Sequence, residues 1–373
     1  MTRIAAAQAA SDALNELGLD QSVPIDPFQA IEDAGLALSF QPMKDLLGAI
    51  LPGEPGGVLI NSARPASLQR YTAAHELGHW YLDQDVLSLD TDAAVFGHPH
   101  EARELDAQVF AAHFLMPLEL LHSTARRYGV KRGTTVYPEQ AYQVARDMHV
   151  SYEAAVRQLS NTRIITATNR DRLLKVQPAA IKQRLTDGLP LPNARGDVWI
   201  VEHPRDRAAI EAVVGDAILL RLTEQPATGY RWCAESALLD ATIHQFRAAP
   251  RPFDGGQAFS EEGPSGGGEI IPFPATTVAS DVVTLFREGV IQEPYRVGMT
   301  AVGGAVTRLV AFTADAPGEE SIHLHQIRPV RPDAPVSRIE VITRVRGVPE
   351  VEFRRRLLDA FAREEAEVAG GEI

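Results

Sequence analysis

The first third of the chain alternates between helical and extended patterning. Ile4 to Leu17 is alanine-rich with apolar residues at helical spacing, Asp20 to Pro27 reads as a loop, and Leu36 to Phe40 and Gly57 to Ile60 read as short strands. Leu68 to Leu82 lacks Pro and holds Gly78 alone, which predicts a helix; a second helical run covers Glu101 to Leu115 until Pro117 stops it. Such alternation predicts an α+β unit. Residues 138–160 predict two short helices hinged at His149–Ser151, a layout of helix-turn-helix type. Ser151 caps the second of them, and Ala154, Ala155 and Leu159 turn inward.

Beyond the Pro/Gly/Asn connector at 186–196 the texture changes to short β-type runs. Asp197–Val201, Ala217–Leu222, Arg308–Thr313, Ser321–Gln326 and Ser337–Val345 read as strands between turn signals, as in a β-sandwich. Residues 249–280, rich in Pro, Gly and Ser, read as a long loop, and Glu350–Val368 as a charged helix. With 373 residues against the roughly 100–200 of one domain, the chain is expected to be multidomain. The expected division is an α+β domain at 1–135, a helical part at 136–175, a linker at 176–196, an all-β sandwich at 197–335 with a long insertion at 249–297, and a C-terminal strand and helix at 336–373.

Composition narrows the function classes. Hydrophobic residues at 45% exclude wholesale disorder, and 36 Lys+Arg against 49 Asp+Glu leave a net charge of −13. A chain this acidic is a poor general ligand for nucleic acid or anionic lipid. Residues 126–163 form a local basic stretch (Arg126, Arg127, Lys131, Arg132, Arg146, Arg157, Arg163), yet the overall charge favours a solvated face there over DNA contact. Cys233 is the one cysteine, which excludes an internal disulfide and a thiolate cluster and suggests a reducing compartment. No run approaches the ~20 apolar residues of a membrane span, and a soluble, cytoplasmic protein is expected.

The strongest chemistry lies at His75-Glu76-Leu77-Gly78-His79. On a helix, positions i and i+4 share a face, so His75 and His79 can bring two imidazoles to one ion. Glu76 stands about 100° round from His75, able to reach a water on that ion without becoming a ligand. An open tetrahedral zinc site needs a third protein ligand, often a carboxylate. Glu101, Glu104 and Asp106 on the next helix and His98 and His100 before it are the candidates. Ala107, one turn from Glu104, would let the two helices approach closely, which favours Glu104.

The stretch Gln69 to His79, followed by Glu104-Leu105-Asp106-Ala107-Gln108-Val109-Phe110-Ala111-Ala112-His113-Phe114-Leu115-Met116-Pro117, resembles the ImmA/IrrE family of zinc metallopeptidases. Pro24 to Phe28 and Gly57 to Asn61 are similar in pattern, and the resemblance covers about residues 1–175. Gln108 and His113 depart from the family's second motif. The resemblance implies a zincin-like fold, one Zn²⁺ per chain held by His75, His79 and Glu104, Glu76 as general base, and cleavage of a DNA-binding, helix-turn-helix repressor. An acidic stretch from Asp83 to Asp106, relieved by Arg103 alone, fits a basic protein substrate or serves as a solvated loop.

A second constellation is Glu224 to Trp232, an apolar strand entering a Pro-x-Thr-Gly turn and a Tyr-x-Trp strand, where Gly229 can take positive φ. It resembles the first loop of chagasin-type inhibitors of papain-like cysteine peptidases, immunoglobulin-like sandwiches that wedge three loops into a peptidase cleft. The resemblance, over about residues 197–332, implies three protein-binding loops at Thr228–Gly229, Gly303–Gly304 and Arg328–Pro329. Gln225-Pro226-Ala227 replaces Asn-Pro-Thr, and Val330 replaces the aromatic that follows Arg-Pro. Three readings follow: a zinc endopeptidase with a protein-binding sandwich, a zinc-dependent sensor that binds its partner without proteolysis, and an inhibitor of papain-like peptidases.

Overall fold

Apolar spacing in the first third of the chain becomes helices laid on a small sheet. The structure, a computed structural model, describes residues 3–54, 56–83, 88–91, 102–203, 207–234, 270–272, 280–291, 305–328 and 334–370. The chain divides into Met1–Ile181 with Val348–Ile373, and Lys182–Gly347.

In the first unit, α1 (Arg3–Glu16) buries Ala6, Ala10, Ala13 and Leu14. The Asp26 side chain accepts from the Phe28 and Gln29 amides and so starts α2 (Pro27–Asp33). Strands β1 (Ala37–Gln41), β2 (Leu46–Leu51), β3 (Gly57–Asn61) and β4 (Ser88–Thr91) make a sheet in the order β1-β3-β2-β4, with β1 and β3 parallel and the other pairs antiparallel. Helix α3 (Ala66–Leu82) lies between β2 and β3 on one side and α1 and α4 (Ala102–Leu115) on the other. Covered from both sides, it buries every residue from Thr72 to His79. That is why its sequence shows no clean amphipathic stripe.

Helices α5 (Leu118–Arg127), α6 (Pro138–Asp147), α7 (Tyr152–Asn161), α8 (Ala167–Leu173) and α9 (Pro178–Leu185) follow. Ser151 caps α7 by accepting from the Ala154 amide, and His149 in the hinge takes φ 53°. Three of the seven basic residues of this region are engaged within the chain. Arg127 and Arg146 both pair with Asp147, and Arg157 pairs with Glu153.

The chain returns to this unit at its end. Helix α10 (Pro349–Gly370) sets Phe353 against Phe40, ring centroids 5.5 Å apart, and Arg356 against Glu32 at 3.1 Å and Asp26 at 3.5 Å. The expected C-terminal segment 336–373 is therefore shared out: its helix belongs here and its strand to the second unit.

The second unit holds β5 (Val198–Glu202), β6 (Arg207–Val213), β7 (Ala217–Glu224), β8 (Arg231–Ala234), β9 (Ile270–Pro272), β10 (Val283–Ile291), β11 (Val306–Ala314), β12 (Gly318–Ile327) and β13 (Ser337–Arg346). They form two sheets, β5-β7-β11-β10-β9 and β6-β13-β12-β8. One core joins them: Trp199, Ile218, Leu220 and Phe312 from the first sheet pack with Ile210, Trp232, Ile322 and Val341 from the second. The molecule thus combines a mixed helix-and-sheet unit with a β unit.

Among the described residues β2, β4, β6, β9 and β10 lie outside the sequence reading. β6 is alanine-rich, with buried Ile210 and Ala212 two apart, and parallel pairing with β13 fixes it as a strand. β10 falls inside the stretch 249–297 expected as an insertion, yet it pairs with β11 along its length. A register shift between Leu285 and Arg287 breaks the period-two pattern that would have revealed it. Apart from β9, β10 and residues 280–282, the stretch 249–297 lies outside the described residues. Among the described residues, no helix is long and apolar enough to cross a membrane.

Candidate metal centre

Helix α3 starts without a capping side chain at Pro65; instead Gln69 donates through Nε2 to the carbonyls of Arg64 at 2.6 Å and Ser62 at 3.2 Å. One residue on, the Arg70 guanidinium donates to the carbonyl of His149 at 3.2 Å and to that of Ile25, fixing the helix to the α6–α7 turn and to the entry of α2. Nothing in the pattern of the sequence singles out this clamp. Buried Asn61 similarly holds the turn into β2, donating to the carbonyls of Met43 at 2.8 Å and Leu46 at 2.6 Å.

On this fixed helix His75 and His79 stand one turn apart with rings at 88° and centroids 4.8 Å apart. Their Nε2 atoms are 3.2 Å from each other. Glu104, in the first turn of α4, reaches across with Oε2 3.3 Å from His75 Nε2 and Oε1 3.5 Å from His79 Nε2. Both histidine side chains are fully buried, and that of Glu104 is 13% exposed. Hydrogen bonds with His75, then with His79, hold the Glu104 carboxyl well below the usual carboxylate range.

These distances fit a metal ion. Bonds of about 2.0–2.2 Å to a tetrahedral centre place neighbouring ligand atoms about 3.3–3.6 Å apart, close to the separation of the two Nε2 atoms and to the distance from each histidine to one oxygen of Glu104. Two imidazole nitrogens and one carboxylate are borderline-to-hard donors suited to zinc-like divalent ions. Among the described residues these three form the group of His, Cys, Asp and Glu side chains close enough to hold an ion.

Other candidates separate from them. Asp106 is buried on α4 but outside the group, whereas His98, His100 and Glu101 lie outside the described residues. Glu76 is fully buried on α3 beside β2. Gly48 makes that approach feasible, because a Cβ there would lie 2.4 Å from Thr72 Cγ2 and 2.9 Å from Glu76 Oε1. A glycine interrupting an apolar run is the sequence signal for such a contact. Gly78 plays the same part on the opposite side, where an added Cβ would meet the Phe110 ring of α4 at 3.0–3.2 Å. Tyr71 stacks beside His75, ring centroids 6.2 Å apart.

Residues 32–160 match the Peptidase_M78 family model, described as the IrrE N-terminal-like domain. That stretch of the first unit is similar to the IrrE N-terminal-like domain. Its curated relatives include the radiation response metalloproteases IrrE of Deinococcus deserti and Deinococcus radiodurans, each 38% identical over 97 residues. Those residues are 26% of this chain and 34% and 29% of the two relatives, so the chain spans about a third of the curated relatives it matches. All four residues considered above, His75, Glu76, His79 and Glu104, fall inside the matched residues 32–160.

Similar solved structures, over the C-terminal part of the chain, are chagasin-like. A cysteine protease inhibitor from Entamoeba histolytica is 18% identical with TM-score 0.26, over 40% of this chain and 96% of its own. The inhibitor of Leishmania mexicana is 17% identical with TM-score 0.21, over 42% and 96%.

In the β unit, Thr228 closes a tight turn through its amide and hydroxyl, both donating to the Gln225 carbonyl, and Gly229 takes φ 75°. Pairing of β8 with β12 sets Trp232 opposite Gln326 and Arg231 opposite Ile327. That register carries Arg328 over the ring of Tyr230, 4.7 Å from its centroid. The structure thus brings Thr228–Gly229 and Arg328 to one end of the sheet; Gly303, Gly304, Pro329 and Val330 lie outside the described residues.

Proposed function

We propose that the first unit is a zinc-dependent endopeptidase that cuts a basic, DNA-binding protein of helix-turn-helix type, and that the immunoglobulin-like β unit is a protein-binding module. The observation that carries this reading is the convergence of His75, His79 and Glu104 from a helix pair, with ligand atoms close enough to share one ion. Bound there, Zn²⁺ supplies a Lewis acid and a water acidic enough to act near pH 7. The Glu76 carboxylate accepts the proton of the attacking water and returns it to the leaving amine nitrogen. Burial of the two histidines keeps bulk water from competing for their lone pairs.

The net charge of −13 supports a cationic substrate and disfavours DNA itself. The intrachain pairing of Arg127, Arg146 and Arg157 is in keeping with the protein acting on a DNA-binding partner rather than on DNA. A cytoplasmic setting accords with the single cysteine, buried on β8.

The test combines metal analysis with a cleavage assay against basic helix-turn-helix proteins. The parent chain is expected to hold about one zinc and to cut such a partner. Glu104→Gln is expected to lower metal content, and Asp106→Asn to leave it unchanged; the reverse ranking moves the third ligand. A parent chain that binds its partner, holds zinc and cuts nothing makes the centre a sensor rather than a peptidase.

A further inference from the structure

Helix α3 carries its two histidine ligands on one side and a bound arginine on the other. At 100° per residue Arg70 stands about 140° round the helix from His75 and about 180° from His79. Its guanidinium therefore holds the back of the helix while Glu104 meets the front. The fork reaches two different elements. Nε donates to the carbonyl of His149 in the α6–α7 turn, at 3.2 Å, and Nη2 donates to the carbonyl of Ile25, directly before the Asp26 cap of α2. A planar fork fixes direction as well as position, which a lysine ammonium does not.

The acceptor in the turn has an unusual backbone. Helix α6 closes with the Val150 amide donating to the Ala145 carbonyl at 3.0 Å and the His149 amide to that of Arg146 at 2.9 Å, a double closure whose left-handed residue is most often glycine. Here that residue is His149, at φ 53°. A residue with a Cβ adopts this conformation at a cost, so contacts around the turn decide whether it is kept. The bond from Arg70 is one of them.

Rotation of α3 bears directly on its ligands. Cα atoms lie about 2.3 Å from the helix axis and an imidazole nitrogen lies several ångströms further out, so turning the helix by about 10° moves Nε2 by about 1 Å. A site of this kind has to be held within about 0.5 Å. At its start α3 has no capping side chain to resist such a turn.

We infer that Arg70 is a positioning residue for the metal centre, and that it couples this centre to the helix-turn-helix-type hairpin α6–α7. The inference rests on the reading of His75, His79 and Glu104 as a metal site. Coupling of this kind is reciprocal: whatever factor the latch on His149 adds to metal affinity, the metal adds to the stability of the latch. Metal bound on α3 therefore tightens a turn that supplies no ligand.

Chelator competition on the full chain reads zinc affinity, and amide hydrogen exchange at His149 and Val150 reads the turn. In the parent, zinc is expected to slow exchange of these two amides. Arg70→Met is expected to lower zinc affinity about tenfold and to abolish the zinc-dependent slowing. Arg70→Lys keeps the charge, loses the planar fork and is expected to fall between the two. Tyr152→Phe serves as a structural control, because it removes the bond from the Tyr152 hydroxyl to the Leu173 carbonyl, 3.1 Å, without touching α3. It is expected to lower the melting temperature and leave zinc affinity at the parent's value. Arg70→Met that binds zinc as tightly as the parent overturns the inference. So does exchange at the turn indifferent to zinc in the parent, and so does a loss of affinity in Tyr152→Phe equal to that in Arg70→Met. A parent chain that binds no zinc sinks the metal reading itself, and the inference with it.

Discussion

Each unit of this molecule buries a cluster of charged and ionisable side chains, and the two clusters are built on opposite principles. In the β unit, Arg308 lies between Glu224, at 2.8 Å, and Glu288, with all three side chains at most 3% exposed. Burial works against the guanidinium charge, but hydrogen bonding and attraction from Glu224, then Glu288, outweigh it and raise its pKa. Arg231, 3.3 Å from Glu224, adds a second cation, so that cluster carries its own counter-charges. In the helical unit, His75, His79 and Glu104 are all electron-pair donors turned to one point. A finished ion pair contributes to fold and specificity; a set of donors without a cation among them is built to take one from solution. Burial of charge therefore marks a functional site only when the charges do not cancel internally.

Four substitutions test that contrast. His79→Ala should have the largest effect, taking metal from about one per chain to a small fraction and abolishing cleavage, because two remaining ligands rarely retain a catalytic zinc. The melting of the β unit should not move; elemental analysis beside calorimetry reads both. Glu76→Gln should keep the metal and lower the cleavage rate by about 10²–10⁴, since an amide cannot accept the proton. A rate equal to the parent's would remove Glu76 from the chemistry.

Arg308→Met reverses the test. It removes the cation shared by two buried carboxylates, leaving Glu224 with the more exposed Arg231, and should destabilise the β unit by about 3–5 kcal/mol while leaving metal content unchanged. Denaturant unfolding checks the first part, and a loss of metal would show that the units are not independent in this respect. Gly78→Ala should cost least, about 1–3 kcal/mol, as its Cβ meets the Phe110 ring at 3.0–3.2 Å and forces α3 and α4 apart. Because Glu104 stands on α4, metal affinity should fall with stability, whereas a variant with parental affinity would show that the ligand positions tolerate the shift.

Parts of this were readable residue by residue. The four-residue spacing of His75 and His79 acts through helical periodicity alone, so a local pattern placed both imidazoles on one face. The strands β12 and β13 announced themselves by alternation, since one face of each lines a two-sheet core, and β7 and β11 by short continuous apolar runs between turn signals, since both their faces are largely buried. By contrast β2 was missed, since Gly48 interrupts its apolar run for the sake of a contact with α3 that sequence does not display. The membership of α10 was likewise hidden, as Phe353 finds Phe40 more than three hundred positions away in the chain.

Local order along the chain thus determined the two histidines, the buried glutamate beside them and the change from helical to extended texture. Those features depend on periods of two to four residues, which backbone geometry imposes wherever they occur. The choice of Glu104 from its neighbours was decided by the packing of α3 on α4, because a ligand 29 residues away joins the set only when Gly78 and Ala107 let two helices come close. Tertiary structure alone also split the C-terminal segment between the units: the alternating apolar face of β13 had to be covered by sheet, and the Phe353–Arg356 face of α10 by Phe40, Asp26 and Glu32. Burial of each face depends on its partner surface, and the partner is named by the fold rather than by the neighbouring residues.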